Sequence, residues 1–371
     1  MLPESERLSE FPSLAKMTYL NTAAESIPPA CVGRAVERFF RDKTRGMRGR
    51  DAHFAEVELC REVSARMLGL GPEEVGFCSC TSEAYNLLAS ALRLGPQDEV
   101  VVTDLDFPAG VTPWLRADPA PICKVWRARE GELLTADLLP LLSGNTRLVQ
   151  VSLVSFYNGH RVAWHALHEA VRERAPGAVL AVDVTQALGR IPLECPGADF
   201  MVSSTHKWTL GIHGGCILGI PRRSAEQLTT RAGGWLHLRN AFDSDRFERA
   251  EPKTGVASYS VGMPNFISLY ALNASLRYLE SLVVESFRAH ADALTRKVAR
   301  GLESLGVPLM CPWNGSGILA FLHPRSEALQ KSLEARDIHV MYNAGRLRVS
   351  VHGYNTERDV DRFLEELKPL L

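Results

Sequence analysis

The chain has 371 residues, of which 46% are hydrophobic and 23% charged, with 42 lysines and arginines against 43 aspartates and glutamates. Because this length exceeds the ~250–300 residues at which one hydrophobic core usually stops growing, we expect two domains or lobes. The formal net charge of -1 argues against nucleic-acid or membrane-surface binding through bulk charge, so an anionic ligand must be held by a local site.

No apolar run reaches the ~20 residues that span a bilayer, and the polar segment MLPESERLSEF at the start lacks the features of a signal peptide. The eight cysteines are scattered, without the CxxC pairs that indicate zinc sites. A chain of this length also does not need disulfide bonds for stability. We therefore expect a reduced, soluble, cytoplasmic protein without a metal site.

Between about residues 52 and 220, short apolar runs alternate with amphipathic segments. This alternation is typical of an α/β sheet that is buried on both faces. Helices are predicted at Glu83–Arg93 and Ala163–Arg174. The predicted strands are Val75–Cys78, Glu99–Thr103, Ile122–Trp126, Leu148–Leu153, Val179–Val184, Phe200–Ser203 and Cys216–Ile220.

The pattern changes after about residue 255, where Pro264 opens a long helical stretch. Short strands and further helices follow, a mixture that predicts a smaller α+β lobe. We expect a large domain over residues 18–255 and a small domain formed by residues 1–17 and 256–371. The small domain's predicted elements are strands Gly317–Leu322, His339–Met341 and Leu347–Val351 and a helix capped by Thr356 that runs to Leu367.

Two ionisable side chains follow neighbouring predicted strands. Asp183 closes one apolar strand, with Gln186 three residues later, and Lys207 follows the next strand after the run Ser203–His206. Ligands bind at the carboxyl ends of strands in open α/β sheets, so both side chains are expected at one crevice. Singly, each residue is better explained as a turn cap or a solvated lysine, but their order and spacing together favour a cofactor.

A lysine, a carboxylate and a group of hydroxyls are what pyridoxal phosphate requires. The lysine forms a Schiff base with the aldehyde, and the carboxylate keeps the pyridine nitrogen protonated so that the ring withdraws electrons. Hydroxyls and the N–H groups of a helix N-terminus bind the phosphate.

With these residues the chain resembles the fold-type I pyridoxal-phosphate enzymes of the class V aminotransferase family, which includes cysteine desulfurases, kynureninases, C–S lyases and isopenicillin N epimerase-like enzymes. DVTQALG at Asp183–Gly189 and SSTHKW at Ser203–Trp208 carry the resemblance, which extends from Tyr19–Pro29 to Arg348–Glu357. It implies a large domain with a mainly parallel seven-stranded sheet, a smaller α+β C-terminal domain, and pyridoxal phosphate as cofactor.

The segment SCTSEAYNLL, which starts at Ser79, resembles the family's phosphate cradle. Thr81 and Ser82 lie between a predicted strand and a predicted helix, where hydroxyls and N–H groups face an anion. The ordinary alternative is a helix cap without a ligand. The resemblance implies further phosphate contacts from Ser204 and His206.

The resemblance also places Phe107 against the face of the pyridine ring, where a phenylalanine can stack but cannot move protons. Without the resemblance, Phe107 is as easily an ordinary core residue. Arg348 matches the arginine that binds the substrate carboxylate, for which a planar guanidinium is suited. Arg346 lies on the same strand face two residues away, so it is the alternative for this role.

Two later segments are implied to lie near the active site. Trp235, in GGWLHLRN, would shape the substrate pocket. The stretch Ala257–Asn265 resembles the segment that reaches the neighbouring subunit's phosphate, with Met263 where desulfurases often have threonine, so that only the N–H of Gly262 or Met263 could serve. The resemblance thus implies a homodimer with composite active sites.

Departures from the family pattern bear on the reaction. Persulfide formation needs a loop thiolate, and Asp337–Arg348 contains no cysteine, which disfavours a desulfurase. Phe156 occupies the place of a family asparagine, so either Asn158 substitutes for it and contacts the substrate or the contact is absent. The glycine-rich run GIHGGC at Gly211–Cys216 lacks the strand–GxGxxG–helix order of a dinucleotide site.

The resemblance therefore implies an enzyme that acts on an α-amino acid, a small-molecule substrate, through an external aldimine and a Cα carbanion, with Lys207 as general base and Asp183 supporting the ring. Aminotransferase ranks first and a C–S lyase acting on a cysteine derivative close behind, followed by kynureninase-type hydrolysis and epimerisation. A cofactor-binding protein without turnover is the remaining alternative, and the intact Lys207, Asp183 and Arg348 argue against it.

Overall fold

The computed structural model describes residues 2–282 and 284–371. Its helices are α1 (Glu4–Glu10), α2 (Ala30–Lys43), α3 (Arg50–Leu68), α4 (Thr81–Leu92), α5 (Pro108–Leu115), α6 (Thr135–Leu138), α7 (Trp164–Arg174), α8 (Phe266–Ser281), α9 (Val284–Ser304), α10 (Ser326–Glu334) and α11 (Glu357–Leu367). Its strands are β1 (Thr18–Tyr19), β2 (Val75–Cys78), β3 (Glu99–Thr103), β4 (Ile122–Trp126), β5 (Thr146–Ser152), β6 (Val179–Asp183), β7 (Phe200–Ser204), β8 (Cys216–Gly219), β9 (Ile318–Leu322), β10 (Ile338–His339), β11 (Met341–Asn343) and β12 (Arg346–Ser350).

The large sheet has the order β2-β8-β7-β6-β5-β3-β4, seven strands over the described residues. Strands β7, β6, β5, β3 and β4 are mutually parallel, whereas β8 runs antiparallel to both β2 and β7. Every residue of β6 and β7 is buried, as expected for parallel strands covered on both faces. The predicted α/β class and mainly parallel seven-stranded sheet are confirmed.

A second, three-stranded antiparallel sheet has the order β11-β12-β9. Its buried side chains pack with those of α9, α10 and α11 in a cluster separate from that of the large sheet. The leucines of α8 instead belong to the cluster around the large sheet, and α8 packs against α2 and α3. The predicted division of the chain at residue 255 stays a prediction.

Some predicted boundaries are wrong, and one of the differences results from pairing between distant segments. Helix α4 begins at Thr81 rather than near Glu83. The predicted strand His339–Met341 is divided, because Ile338–His339 pairs with β1 whereas Met341–Asn343 pairs with β12. One periodic pattern in the sequence therefore serves two different sheets.

The N-terminal segment is tied to the C-terminal part of the chain. Arg7, which is buried, donates from Nε to the carbonyl of Tyr354 over 2.7 Å and lies 3.5 Å from the Asp359 carboxylate.

Over residues 2–282 and 284–371, no helix combines the length and apolar character needed to cross a bilayer.

Candidate functional site

A cleft of about 660 Å³ opens at the carboxyl ends of β6 and β7. The register of these two strands pairs Asp183 with Val202, so the end of β6 lies beside the segment that leads to Lys207. Seven of the predicted site residues line the cleft: Thr81, Phe107, Asp183, Gln186, Ser204, His206 and Lys207.

Asp183 and Lys207 provide the ionisable groups of this cleft. Asp183 is buried, and its Oδ1 accepts the N–H of Thr185 over 2.8 Å. Burial raises the pKa of Asp183, against the opposing effects of the Thr185 hydrogen bonds and of Lys207. Burial, together with the smaller effect of the Arg348 charge, lowers the pKa of Lys207 to about 8, against the opposing effects of Asp183 and Glu25. An amine with such a lowered pKa is a nucleophile or base near neutral pH.

Hydrogen bonds to the neighbouring loops hold these two residues in place. Ser204 donates its N–H to Oγ1 of Thr185 over 3.0 Å, which joins the ends of β6 and β7. Gln186 donates from Nε2 to the carbonyl of Ala23 and accepts from Nε1 of Trp208 over 2.6 Å. The amide of Gln186 thus links the loop after β6 to the residue that follows Lys207.

The predicted phosphate cradle is the N-terminus of α4. The first N–H groups of a helix have no intrahelical partner, so they can bind an anion. Ser79, Cys80 and Thr81 line the cleft at this point, and the N–H and hydroxyl of Ser79 donate to Glu83, each over 2.6 Å. Ser82 is exposed and lies outside the cleft wall.

Two aromatic rings form an apolar part of the wall. Phe107 is 45% exposed, and its ring lies edge-on to Phe156 with centroids 5.0 Å apart. Lys207 Nζ lies 5.4 Å from the centroid of the Phe107 ring. The turn before Phe107 is held by buried Asp106, which accepts the N–H groups of Ser152 and Thr103. Burial raises the pKa of Asp106 to about 7.

Arg348 on β12 is buried beside this wall. Its Nη1 donates to the carbonyl of Phe156 over 2.6 Å, while Nε and Nη2 have no partner among the described residues. Burial, and then the nearby Arg346, lower the pKa of Arg348 to about 9. Buried unpartnered donors are costly, so a carboxylate bound here would supply what the protein does not.

More of the N–H groups of Arg346 are paired within the protein. Its Nε and Nη1 donate to the carbonyls of Tyr157 and Asn343 over 2.7 and 3.0 Å. The guanidinium carbon also lies 4.0 Å from the centroid of the Tyr157 ring. Of the two arginines, Arg348 therefore has more N–H groups left for a ligand.

The other predicted residues lie outside the cleft wall. The side chain of Asn158 donates to the carbonyl of Gly131 and accepts the N–H of His160. Trp235 is 39% exposed and contacts Phe242. Gly262 and Met263 line a second cleft of about 580 Å³, which shares Ser79 and Gly214 with the first. The roles of these four predicted residues stay predictions. 

His213 lines the cleft although the sequence interpretation gave it no role. Its Nε2 lies 2.8 Å from Oε2 of Glu25, and its ring stacks on that of His206 with centroids 4.0 Å apart. The sequence feature that could have indicated the position of His213 is the Gly-Gly pair that follows it. Gly214 has φ +86°, and a Cβ there would lie 2.4 Å from Nδ2 of Asn265, so this close turn requires glycine.

Ligand atoms of Glu25, His206 and His213 lie within 4.8 Å of one another, a spacing that a metal ion could use. The absence of a metal site stays a prediction.

The residues of the cleft fit the predicted pyridoxal phosphate. Buried Asp183 suits a protonated ring nitrogen, the amine of Lys207 suits the aldehyde, and the face of Phe107 suits the ring. The start of α4 with the Ser204 hydroxyl suits the phosphate.

Comparison with known proteins gives matches along nearly the whole chain. The sequence profile described as Aminotransferase class-V matches residues 18–363. The uncharacterized aminotransferase YcbU of Bacillus subtilis (strain 168) is 26% identical over 371 residues, covering 99% of this chain and 97% of that protein. A probable cysteine desulfurase of Pyrococcus abyssi (strain GE5 / Orsay) is 26% identical over 400 residues, covering 100% and 98%.

Among solved structures, a C-DES variant with glycine covalently linked to its PLP cofactor has a TM-score of 0.89 at 18% identity, covering 97% of this chain and 98% of that one. This likeness shows that the two chains share a fold.

The lowered pKa of Lys207 predicts selective modification by an aldehyde. Pyridoxal reacts with neutral amines, so we expect borohydride-trapped adducts at Lys207 to increase as the pH rises through about 8. Lys331 is the internal control, since its hydrogen bond and charge interaction with Glu327 raise its pKa. Peptide mapping by mass spectrometry would compare both sites in one sample of the cofactor-free protein.

Two variants test the direction in which neighbouring charges shift the pKa of Lys207. Asp183→Asn removes the carboxylate that raises the pKa of Lys207, so the midpoint should move to lower pH. Arg348→Ala removes a cation that lowers it, so the midpoint should move to higher pH. Coincident midpoints for Lys207 and Lys331 would contradict the prediction.

Proposed function

Because the chain belongs to the class V aminotransferase family and is a pyridoxal-phosphate-dependent enzyme, we propose that it is an aminotransferase acting on an α-amino acid. The observation that carries this proposal is the convergence of Lys207 and buried Asp183 in one cleft. Arg348, with two nitrogens that have no partner among the described residues, lies beside the same cleft.

When bound here, the cofactor supplies an electron-withdrawing ring that accepts the electron pair of a bond at Cα. Its phosphate would be held by the start of α4 and by the loop before Lys207, and its ring would lie against Phe107. The residues that would hold it are Thr81, Phe107, Asp183, Ser204, His206 and Lys207.

Lys207 is proposed to act as the general base that removes the proton from Cα and then delivers it to the carbon that was the cofactor's aldehyde, which leaves the substrate as a 2-oxo acid. A lowered pKa of about 8 suits this role, since the ideal pKa of a catalytic base lies near the working pH. The carboxylate of Asp183 would accept a hydrogen bond from the protonated ring nitrogen. The N–H of Thr185 holds Oδ1 of that carboxylate in place.

Arg348 is proposed to bind the substrate's α-carboxylate through its unpartnered Nε and Nη2. Two parallel N–H···O bonds fix the orientation of a carboxylate as well as its position. The Phe156 carbonyl already holds Nη1, so little side-chain freedom is left to lose on binding. The rings of Phe107 and Phe156 would exclude water from the reacting carbon.

A C–S lyase acting on a cysteine derivative is the second proposed function. The apolar wall of Phe107 and Phe156 suits a sulfur-containing side chain, because sulfur contacts aromatic rings favourably. The hairpin of β11 and β12 contains no cysteine that could take up sulfur. With such a substrate, loss of the β-substituent would replace delivery of the proton to the cofactor carbon.

We further propose a homodimer with composite sites. Trp235 and Met263 are partly exposed, and Phe242 and Phe247 are 81% and 85% exposed. The rings of Trp235 and Phe242 contact each other, and contiguous exposed apolar side chains mark interaction surfaces. Light scattering at micromolar concentration is expected to give the mass of two chains, and a mass of one chain would contradict this proposal.

The purified protein should show the visible absorbance band of the bound aldehyde, and Lys207→Ala should abolish it. An amino-acid panel then separates the reactions. Conversion of the cofactor to its amine form with release of a 2-oxo acid indicates transamination, whereas pyruvate and ammonia from a cysteine derivative indicate elimination. A protein that binds no pyridoxal phosphate, or an unchanged band in Lys207→Ala, would refute the proposed function.

Arg348→Lys is expected to raise the KM for the amino acid by about 10- to 100-fold, because a charge-assisted hydrogen bond contributes about 1.5–3 kcal/mol. The effect on kcat should be smaller, since the carboxylate does not change during the reaction. Arg346→Lys is the matched control. A larger increase in KM for the Arg346 variant than for the Arg348 variant would show that the substrate carboxylate binds Arg346 instead, two residues away on the same strand.

A further inference from the structure

The cleft wall offers little positive charge to a phosphate group. Its basic side chains among the described residues are His206, Lys207 and His213. Lys207 is required at the aldehyde. Burial, and then the charges of Lys207 and His213, lower the pKa of His206 to about 4, so His206 is neutral at neutral pH. His213 is then the remaining wall residue that can bring a cation to the phosphate.

The surroundings of His213 hold its imidazole in one orientation. Its Nε2 lies 2.8 Å from Oε2 of Glu25. Its ring is stacked on that of His206, with an angle of 17° between the planes. No hydrogen bond of Nδ1 is found among the described residues, so that nitrogen is left for a ligand.

The position of His213 in the chain brings it to the side of the cleft where an anion is expected. The next residue, Gly214, lines both clefts together with Ser79, which lies directly before the N-terminal turn of α4. His206, on which His213 stacks, precedes Lys207. A phosphate between the α4 N-terminus and the Ser204–His206 segment therefore lies on the side of His213.

We propose that His213, oriented by Glu25 and His206, is a ligand of the cofactor's phosphate and supplies the positive charge that the rest of the wall lacks. An imidazole that donates to two anions must carry protons on both ring nitrogens. His213 therefore binds as an imidazolium, with Nε2–H directed at the Glu25 carboxylate and Nδ1–H at the phosphate. This inference deepens the proposed function, since it rests on pyridoxal phosphate binding in this cleft.

The experiment measures cofactor affinity rather than turnover. Cofactor-free protein is titrated with pyridoxal phosphate and, separately, with pyridoxal, which has the ring and aldehyde but no phosphate. His213→Asn is expected to raise the Kd for pyridoxal phosphate by about 10-fold or more, the effect of losing one charged hydrogen bond. The Kd for pyridoxal should stay unchanged. His213→Lys should recover part of the affinity, because it restores a cation.

His165→Asn is the matched control, since His165 lies exposed on α7 and its substitution should not change either Kd. An unchanged Kd in His213→Asn, or an equal loss for both probes, would overturn the inference. Zinc that copurifies with the wild type, is lost in His213→Asn and lowers cofactor affinity until chelated would also overturn it in favour of a metal site. Failure of the wild type to bind pyridoxal phosphate would instead refute the proposed function.

Discussion

The site depends on one interaction, that of a buried carboxylate with a largely buried amine at neighbouring strand ends. Burial favours the neutral form of both Asp183 and Lys207, and each charge opposes that effect on the other. The balance gives an amine with a lowered pKa beside a carboxylate that the Thr185 N–H holds in place. The strand register and the Gln186 amide fix this pair, so the chemistry follows from the central sheet.

The proposed site also requires a cation for the substrate carboxylate, and this cation comes from the three-stranded sheet. Arg348 reaches the cleft from β12, and the isolated pairing of Asn21 with Ser350 joins the end of that strand to the N-terminal segment. Burying a guanidinium with unpartnered N–H groups costs stability. That cost has a physical explanation if a carboxylate completes the set, as in the proposed role of Arg348. Arg346 differs in having two carbonyl partners and the Tyr157 ring beside its guanidinium.

Much of this arrangement was predictable because it depends on local pattern. Continuous apolar runs identified the strands of the large sheet, and the residues that follow two of them are Asp183 and Lys207. What could not be predicted depends on pairing between distant segments. The division of His339–Met341 between two sheets has no local signal, and the His213–Glu25 contact joins positions 188 residues apart. The pKa of Asp106 likewise depends on burial that only the folded chain creates.

The residues of the cleft wall also favour some of the possible reactions over others. Two-base epimerisation requires a proton donor on the face of Cα opposite the first base, whereas transamination needs one group that carries a proton from Cα to the former aldehyde carbon of the cofactor. Phe107 and Phe156 have no proton to exchange, and the pKa of His206 is lowered to about 4, so at neutral pH its imidazole is not in the protonated form that could donate to Cα. Lys207 alone satisfies transamination. Elimination of a thiolate also needs little acid help, because a thiol ionises far more readily than an alcohol. The wall therefore favours transamination or C–S elimination over epimerisation.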